Sequence, residues 1–287
     1  MQRSFTIRHD QKPYFDPTWH YHPELELVYT IAGEGVRLIG DNISNFSPDE
    51  IVLVGANLPH VWRCNQEYFQ HNSNLQVEAI VLQFMPECLG RYLLNLPEAY
   101  LIPKLFEKAK SGLLINGEAK ARLKPLLLAV VHATDLDRVI ILLSILEILS
   151  NSSDVQSIAS EHHAFKQSNE SDVQRINKVY SYTMANYQKE ITLEEVASLS
   201  NLSVTSFCRY FKLITKKTYY DLLLEIRISQ ACRLLIEDKL LTEVICFECG
   251  FNNVSNFYRH FKKITNLTPL GYKRKYLRSP KKSLAAG

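Results

Sequence analysis

A nine-residue segment occurs twice in this chain of 287 residues: residues 207–215 read FCRYFKLIT and residues 257–265 read FYRHFKKIT. The two copies are identical at six of their nine positions and align without gaps. Each copy follows a shorter amphipathic segment and a turn. Ser203 and Asn253 precede the copies, where their side chains can accept hydrogen bonds from the first free N–H groups of a helix. A helix, a tight turn and a capped helix make a helix-turn-helix, so the repeat predicts two such units.

The helical periodicity of each copy separates an apolar face from a basic one. At about 100° per residue, Phe207 and Phe211 lie within about 40° of each other, and Arg209 lies on the opposite face. The second copy repeats this arrangement fifty residues later. An arginine placed in this way can bond guanine in the major groove, and Lys212 or Lys262 can contact a phosphate. One copy alone would fit core packing with an exposed arginine, but the duplication favours DNA binding.

The charge distribution agrees with this interpretation. The net charge of the chain is +3, but residues 172–287 carry 19 Lys and Arg against 10 Asp and Glu, which gives +9. Residues 1–171 therefore carry −6. Such asymmetry indicates that the C-terminal part meets a polyanion and the N-terminal part does not. The alternative, a solvated basic face, is weakened by the repeat.

The two copies are separated by an apolar-periodic stretch, residues 219–238, which predicts one long helix. A helix of this length is a stiff spacer. Two recognition helices held on it should enter successive major-groove segments on one face of a duplex, about 34 Å apart.

Composition and cysteine usage are typical of a cytoplasmic protein without a membrane partner. Hydrophobic residues make up 46% and charged residues 22%, as in ordinary globular domains. The beginning of the chain has no apolar run like a signal-peptide core, and the longest apolar run, residues 139–149, is too short to cross a bilayer. Six irregularly spaced cysteines do not suggest a disulfide framework. Cys246 and Cys249 are interpreted as buried thiols rather than half of a zinc site.

From about residue 174 to residue 277 the sequence resembles the DNA-binding domain of AraC/XylS-type transcription regulators. The resemblance rests on Gly250-Phe251, on Phe257 to Lys262 with its F-x-R-x-F-K pattern, and on Thr268-Pro269 before a closing helix. Cys208 and Val254 depart from the longer polar side chains common at their positions, and contact with a thymine methyl group is the role expected for them. Asn201 replaces a frequent glycine, but asparagine also tolerates a left-handed backbone.

The resemblance implies the positions that contact DNA. The expected base-edge and phosphate contacts are Thr205, Cys208, Arg209 and Lys212 in the first unit, and Val254, Ser255, Asn256, Tyr258, Arg259 and Lys262 in the second.

The first 95 or so residues predict short strands that make a barrel or sandwich. The candidate strands are residues 24–31, 35–39, 51–54, 60–63 and 76–83. Because side chains alternate along a strand, His20, His22 and Glu26 share one face. With His60 from a later strand, this spacing resembles the cupin barrel, in which three histidines and a glutamate bind one metal. A divalent metal, a metal-free pocket for an organic effector and a structural cluster are all consistent with these residues. The resemblance implies a metal-free barrel that binds an organic effector, because ligand-type residues alone are weak evidence for a metal.

Two helices, near residues 119–133 and 136–149, follow the strands. Val139, Leu142, Leu146 and Leu149 are spaced as a seam, and the rest of the second helix is also apolar. This favours a homodimer through the seam, with burial inside its own domain as the alternative.

The sequence therefore predicts an α+β chain with two domains, a linker between them and a tail. Residues 1–150 form a cupin-like β-barrel with a helical dimerisation pair, residues 151–171 a linker, residues 172–278 an all-α double helix-turn-helix domain, and residues 279–287 a flexible tail. The expected function is transcription regulation, without enzymatic activity or a required cofactor. The expected partners are double-stranded DNA, a small-molecule effector, a second copy of the chain and, if the protein is an activator, RNA polymerase. The alternatives are a metal-dependent cupin enzyme and an effector-independent regulator with a structural barrel.

Overall fold

The computed structural model describes residues 4–70, 73–160, 170–215 and 217–277. The chain divides between Asn169 and Glu170 into two compact units, which are described separately. Within these ranges, no helix has both the length and the hydrophobicity that crossing a bilayer requires.

The N-terminal unit contains two antiparallel sheets. Its strands are β1 (Phe5–Lys12), β2 (Leu25–Ala32), β3 (Gly35–Ile39), β4 (Asn42–Phe46), β5 (Glu50–Val54), β6 (His60–Cys64), β7 (Val77–Phe84), β8 (Leu113–Ile115) and β9 (Val155–Ser157). The larger sheet has the order β1-β7-β2-β5-β8-β9 and the smaller one the order β4-β3-β6. All five predicted strands are present, within one residue of their predicted bounds at each end.

The closed barrel predicted from the sequence does not form. The described strands divide between two sheets. Outside the ladders of these sheets, an isolated antiparallel bridge pairs His20 with His60 at the start of β6. The physical reason lies at the end of β2, where the β2–β7 register shifts between Thr30 and Ala32 and Gly33 takes a φ of +120°. A bulge followed by a left-handed glycine turns the chain out of the first sheet before β3 begins.

The central strands of the larger sheet are buried on both faces. On β2, Leu25, Leu27 and Tyr29 pack against helices, whereas Val28 packs in a core that includes Trp62 of the smaller sheet. This alternation is the predicted one, because neighbouring side chains of a strand point to opposite faces. Glu26 therefore faces the space between the two sheets.

The helices of this unit cover the outer face of the larger sheet. They are α1 (Gly90–Leu94), α2 (Leu101–Ala109), α3 (Gly117–His132) and α4 (Asp135–Asn151). Leu142, Leu146 and Leu149 are each at most 1% exposed, and Val139 packs against the same core. The residues of the predicted dimer seam are therefore packed in the core of their own unit. Burial inside its own domain was the alternative interpretation of this helix. The helix is apolar on nearly all sides because α2, α3 and the sheet surround most of it.

The predicted linker begins later than residue 151. Strand β9 pairs with β8, and the Asp154 carboxylate accepts hydrogen bonds from the backbone N–H groups of Glu118 and Ala119 at the start of α3. Residues 151–160 therefore belong to the N-terminal unit, although their polar composition predicts a loop, because an exposed edge strand needs few apolar side chains. Of the rest of the predicted linker, residues 161–169 lie outside the described residues, as does the predicted tail, residues 279–287, whereas residues 170–171 already belong to the first helix of the C-terminal unit.

The C-terminal unit is helical throughout its described part. Its helices are α5 (Glu170–Asn186), α6 (Leu193–Leu199), α7 (Val204–Thr215), α8 (Tyr219–Glu237), α9 (Thr242–Glu248), α10 (Val254–Thr265) and α11 (Pro269–Leu277). Helices α6–α7 and α9–α10 form the two predicted helix-turn-helix units, and α8 is the predicted spacer. Cys246 and Cys249 are buried free thiols, as expected.

Helix α8 holds both recognition helices. At its start, the Tyr219 ring lies 5.9 Å from that of Phe207 and 5.8 Å from that of Phe211, measured between centroids. Further along, apolar residues of α8 such as Ile228 share one core with Phe257 and Phe261. The four phenylalanines that the repeat predicts to be buried are all 0% exposed.

Candidate functional site

The start of each recognition helix is fixed by the predicted cap. The Asn253 Oδ1 atom accepts hydrogen bonds from the backbone N–H of Ser255 at 2.8 Å and of Asn256 at 3.2 Å. The Ser203 hydroxyl accepts one from the N–H of Ser206 at 3.3 Å. These caps satisfy N–H groups that would otherwise have no partner in the first turn.

The two recognition helices also have matching hydrogen bonds at their C-terminal ends. Thr215 donates its hydroxyl to the carbonyl of Phe211, and Thr265 donates to that of Phe261, both at 2.8 Å. Each hydroxyl also accepts a hydrogen bond from the N–H two residues later. Thr218 and Thr268 then cap the following helices. The repeat and the Thr268-Pro269 motif already include three of these threonines, but sequence reasoning did not predict their hydrogen bonds, for which the equal spacing of the four threonines was the signal.

The turns of the two units differ by one residue. Asn201 takes a left-handed φ of 53°, as predicted for a residue in place of glycine, and Gly250 takes 79°. A Cβ atom on Gly250 would lie 2.5 Å from the carbonyl oxygen of Tyr187, so this position also needs glycine for space. The second turn is longer because Asn252 is inserted before the cap.

Both arginines of the repeat are exposed on the face opposite the buried phenylalanines. The predicted contact residues that accompany them on this exposed surface are Thr205, Cys208, Lys212, Ser255, Asn256 and Lys262. Val254 and Tyr258 are only half-exposed, since they also pack against the core of the second unit. They therefore lie at the edge of the surface rather than at its centre.

Basic side chains also lie between the two recognition helices. Lys212 of α7 lines one cavity with His260 and Lys263 of α10. Burial and the neighbouring charges of Arg259 and Lys263 lower the pKa of His260. The neutral ring can then accept a hydrogen bond from the Arg259 guanidinium, whose Nη2 atom lies 3.4 Å from His260 Nε2. The His260 ring thus contacts the Arg259 guanidinium, which stays exposed to solvent.

A second cluster of polar side chains lies in the N-terminal unit, where the sequence places its effector or metal residues. One ring nitrogen each of His20, His22 and His60 lies within 4.8 Å of the other two. The Glu26 carboxylate reaches His22 Nε2 at 3.3 Å and His60 Nε2 at 3.6 Å. All four residues predicted from the sequence therefore meet in the structure.

Gln83 is a fifth member that sequence reasoning did not find. It stands opposite Glu26 in the β2–β7 ladder, and its side-chain amide donates a hydrogen bond to Glu26 Oε2 at 2.5 Å. Although burial opposes ionisation, the hydrogen bond from His22 and the adjacent imidazoles lower the pKa of Glu26 to about 2. The carboxylate is therefore held ionised inside the fold.

Comparisons with known proteins match the C-terminal unit. A family model described as a helix-turn-helix domain matches residues 196–275. The HTH-type transcriptional regulator YdeC of Bacillus subtilis is 32% identical over 100 residues, 35% of this chain and 34% of its own length. An HTH-type regulator in the cgkA 5′ region of Pseudoalteromonas carrageenovora is 39% identical over 95 residues, 33% of this chain and 56% of its own length. This chain thus spans about a third to a half of these two relatives.

One similarity extends over most of the chain. The HTH-type transcriptional activator RhaS of Klebsiella pneumoniae is 22% identical in an alignment of 267 residues that covers 87% of this chain and 85% of that protein. The alignment therefore includes the N-terminal unit as well as the helices. The C-terminal unit, with its two capped helix-turn-helix units on one spacer helix, is thus a helix-turn-helix domain, and the resemblance to AraC/XylS-type transcriptional regulators is supported.

Proposed function

We propose that this chain is a sequence-specific DNA-binding transcription regulator that contacts duplex DNA with α7 and α10. The observation that carries the proposal is the pair of exposed arginines, Arg209 and Arg259, each opposite two fully buried phenylalanines on equivalently capped helices. An arginine held in this way can enter the major groove and donate two hydrogen bonds to guanine.

The predicted contact residues divide into two roles. Arg209 and Arg259, with the shorter side chains beside them, read base edges. Lys212 and Lys262 lie one turn closer to the C-terminus of each helix and contact phosphates, which position the protein without reading sequence. The cationic groups between the helices, such as Lys263, add to this electrostatic attraction.

Genome-wide mapping of DNA bound by the full chain tests this proposal. We expect enrichment of one recurrent sequence, upstream of a limited set of genes. A control with Arg209 and Arg259 both changed to alanine should lose the enrichment while the protein stays folded. Equal recovery of all duplexes by both proteins would contradict sequence-specific binding.

The N-terminal unit is proposed to bind a small-molecule effector. Support comes from the buried polar groups in this unit, including Glu26, Thr30, Arg37 and His60, which could hydrogen-bond a polar ligand. Binding at this unit could shift the population of conformations that fit the operator. A thermal-shift screen against sugars and other metabolites tests it: a ligand that raises the melting temperature should also change operator affinity, whereas a regulator with a purely structural N-terminal unit would show neither effect.

Homodimer formation is proposed through the outer face of α4. Leu136 and Ile140 are 68% and 51% exposed and stand one helical turn apart. The test is sedimentation of the wild type and of Ile140→Glu. We expect a dimer for the wild type and a folded monomer for the variant, and two identical profiles would contradict this surface.

A further inference from the structure

We propose that Arg227 of α8 sets the angle between the two helix-turn-helix units, and that this angle decides which spacing of DNA blocks the chain accepts. A block is the short base sequence that one recognition helix contacts. Arg227 is a positioning residue, because its guanidinium contacts backbone carbonyl groups rather than the exposed face of a recognition helix. The role rests on the proposed binding of duplex DNA by α7 and α10, and it adds the contact that fixes their relative orientation.

The Arg227 guanidinium joins α8 to the connection between α5 and α6. Its Nε atom donates a hydrogen bond to the carbonyl oxygen of Tyr187 at 2.8 Å, and its Nη2 atom donates one to that of Lys189 at 2.7 Å. Both carbonyls come directly after the end of α5 at Asn186, where a helix leaves carbonyl groups unpaired and carries a partial negative charge. A cation that bonds two of them holds this connection against α8, because charge-assisted hydrogen bonds are roughly twice as strong as neutral ones.

The turn of the second helix-turn-helix unit meets the same connection. A Cβ atom on Gly250 would lie 2.5 Å from the carbonyl oxygen of Tyr187 and 2.9 Å from that of Gln188. The same Cβ would lie 3.0 Å from Arg227 Nε, so glycine here lets the backbone approach the guanidinium closely. The guanidinium also lies 5.9 Å from the centroid of the Phe251 ring, within the range of a cation–π contact. Arg227 therefore touches both sides of one joint, the connection before α6 and the turn between α9 and α10.

This joint supplies a direction that the packing on the spacer helix does not. Near the start of α8, Tyr219 packs against two rings of α7, and further along Ile228 packs in one core with Phe257 of α10. Apolar contacts of this kind have no preferred direction, whereas hydrogen bonds do. The bonds of Arg227 therefore fix how the first helix-turn-helix unit is turned relative to the second.

A small change at this joint is large at the DNA. Two helices that enter successive major-groove segments lie about 34 Å apart, so a tilt of about 5° moves one of them by about 3 Å relative to the other. This displacement is close to the rise of one base pair, about 3.4 Å. The joint can therefore decide whether the chain tolerates one inserted or deleted base pair between the blocks.

Binding to duplexes of altered spacing tests the role. The full chain is titrated with its selected site, with the same site after one base pair is inserted or removed between the blocks, and with a duplex that holds one block. We expect wild-type affinity to fall at least about 10-fold when the spacing changes by one base pair, because the second block is then out of reach.

Arg227→Met removes both donors but keeps a long side chain that can pack on Phe251. A loosened joint lowers the effective concentration of the second recognition helix at its block. The variant should therefore lose about 10-fold on the selected site, bind the three spacings within about 2-fold of one another, and bind the single block as the wild type does.

Arg233→Met is the matched control. It removes the same charge from the same helix, but Arg233 pairs with Glu237 of α8 itself, at 2.8 Å. We expect this variant to keep the wild-type dependence on spacing. Mere destabilisation of Arg227→Met would lower its affinity for every duplex by one factor, since only the folded fraction changes, and that result would overturn the role. Arg227→Lys keeps the charge without the fork of donors, so it replaces the methionine variant if that one does not fold, and it should show an intermediate dependence on spacing.

A distance measurement without DNA separates this role from the proposed function. Spin labels are placed on Cys208 of α7, which is exposed, and on α10 through Ser255→Cys, in a Cys88→Ser background because the other four thiols are buried. Pulsed electron paramagnetic resonance should give a narrow distance distribution with Arg227 and a broader or shifted one with Arg227→Met. If the labels move but wild-type binding ignores the spacing, paired reading of DNA fails, and with it the consequence for spacing. An unchanged distribution in folded Arg227→Met would show that the positioning role itself is wrong.

Discussion

Replacing Arg259 with alanine should remove sequence reading at one base pair without unfolding the protein. The guanidinium is exposed and its hydrogen-bond contact within the protein is a long one, 3.4 Å to His260. Truncation therefore costs little folding free energy, because exposed substitutions usually change it by less than about 0.5 kcal/mol. A bidentate arginine–guanine contact contributes about 1–3 kcal/mol of discrimination. That range corresponds to a loss of about 5- to 150-fold in affinity for the cognate site.

Lys262→Ala is the matched control on the same helix. Lys262 is also exposed, three residues further along α10, but its proposed contact is a phosphate. Its loss should weaken binding to every duplex about equally and flatten the salt dependence by about 0.9 in the slope of log K against log salt. The two substitutions thus change different measured quantities although both remove one positive charge.

Fluorescence anisotropy distinguishes the effects of Arg259→Ala and Lys262→Ala. Each protein is titrated with the selected operator, with operators changed at one base pair each, and with a random duplex. Each titration is repeated at several salt concentrations, because affinities at one salt concentration do not separate charge from base reading. We expect Arg259→Ala to bind the operator and one of its single-base variants equally well. If the variant keeps full discrimination at every base pair, or loses the same factor on random DNA, the role assigned to Arg259 is wrong.

Three further substitutions, one of them with a control variant, test the stability of the fold by thermal or chemical unfolding. Phe261→Ala should destabilise the C-terminal unit by about 3–5 kcal/mol because the ring is fully buried, whereas Phe247→Ala, at a ring that is 56% exposed, should cost little. Asn253→Ala should cost about 1 kcal/mol through loss of the cap; no change would mean that the cap is not stabilising. Gly117→Ala should lower the melting temperature of the N-terminal unit, since Gly117 has a φ of +52° and a Cβ there would lie 2.5 Å from the Asp154 carboxylate.

The helix-turn-helix units could be predicted from sequence because their information is local and repeated. The spacing of Phe207, Arg209 and Phe211 fixes a buried and an exposed face within one helix, and Ser203 and Asn253 mark where the helices begin. Alternation along β2 likewise predicted which side chains point inward. Such patterns depend on residues within a few positions of one another, so one sequence suffices to identify them.

Long-range pairing could not be predicted in the same way. The division of the strands into two sheets depends on a bulge near Thr30 and on Gly33, and the position of Gln83 beside Glu26 depends on the β2–β7 register. Neither is encoded in a local period. The seam on α4 was misassigned because a helix that is apolar on most sides fits burial in its own core as well as dimerisation.

The most direct test of the regulator proposal is the spacing of the DNA site. Duplexes selected from a random pool by the full chain are sequenced, and base pairs are then inserted at the centre of the selected site. If α7 and α10 contact one duplex together, the site should contain two short blocks about 10 base pairs apart, centre to centre, and an insertion of about half a helical turn should abolish the contribution of one block. A single block, or an affinity unchanged by the insertion, would show that the two helices do not read DNA as a pair.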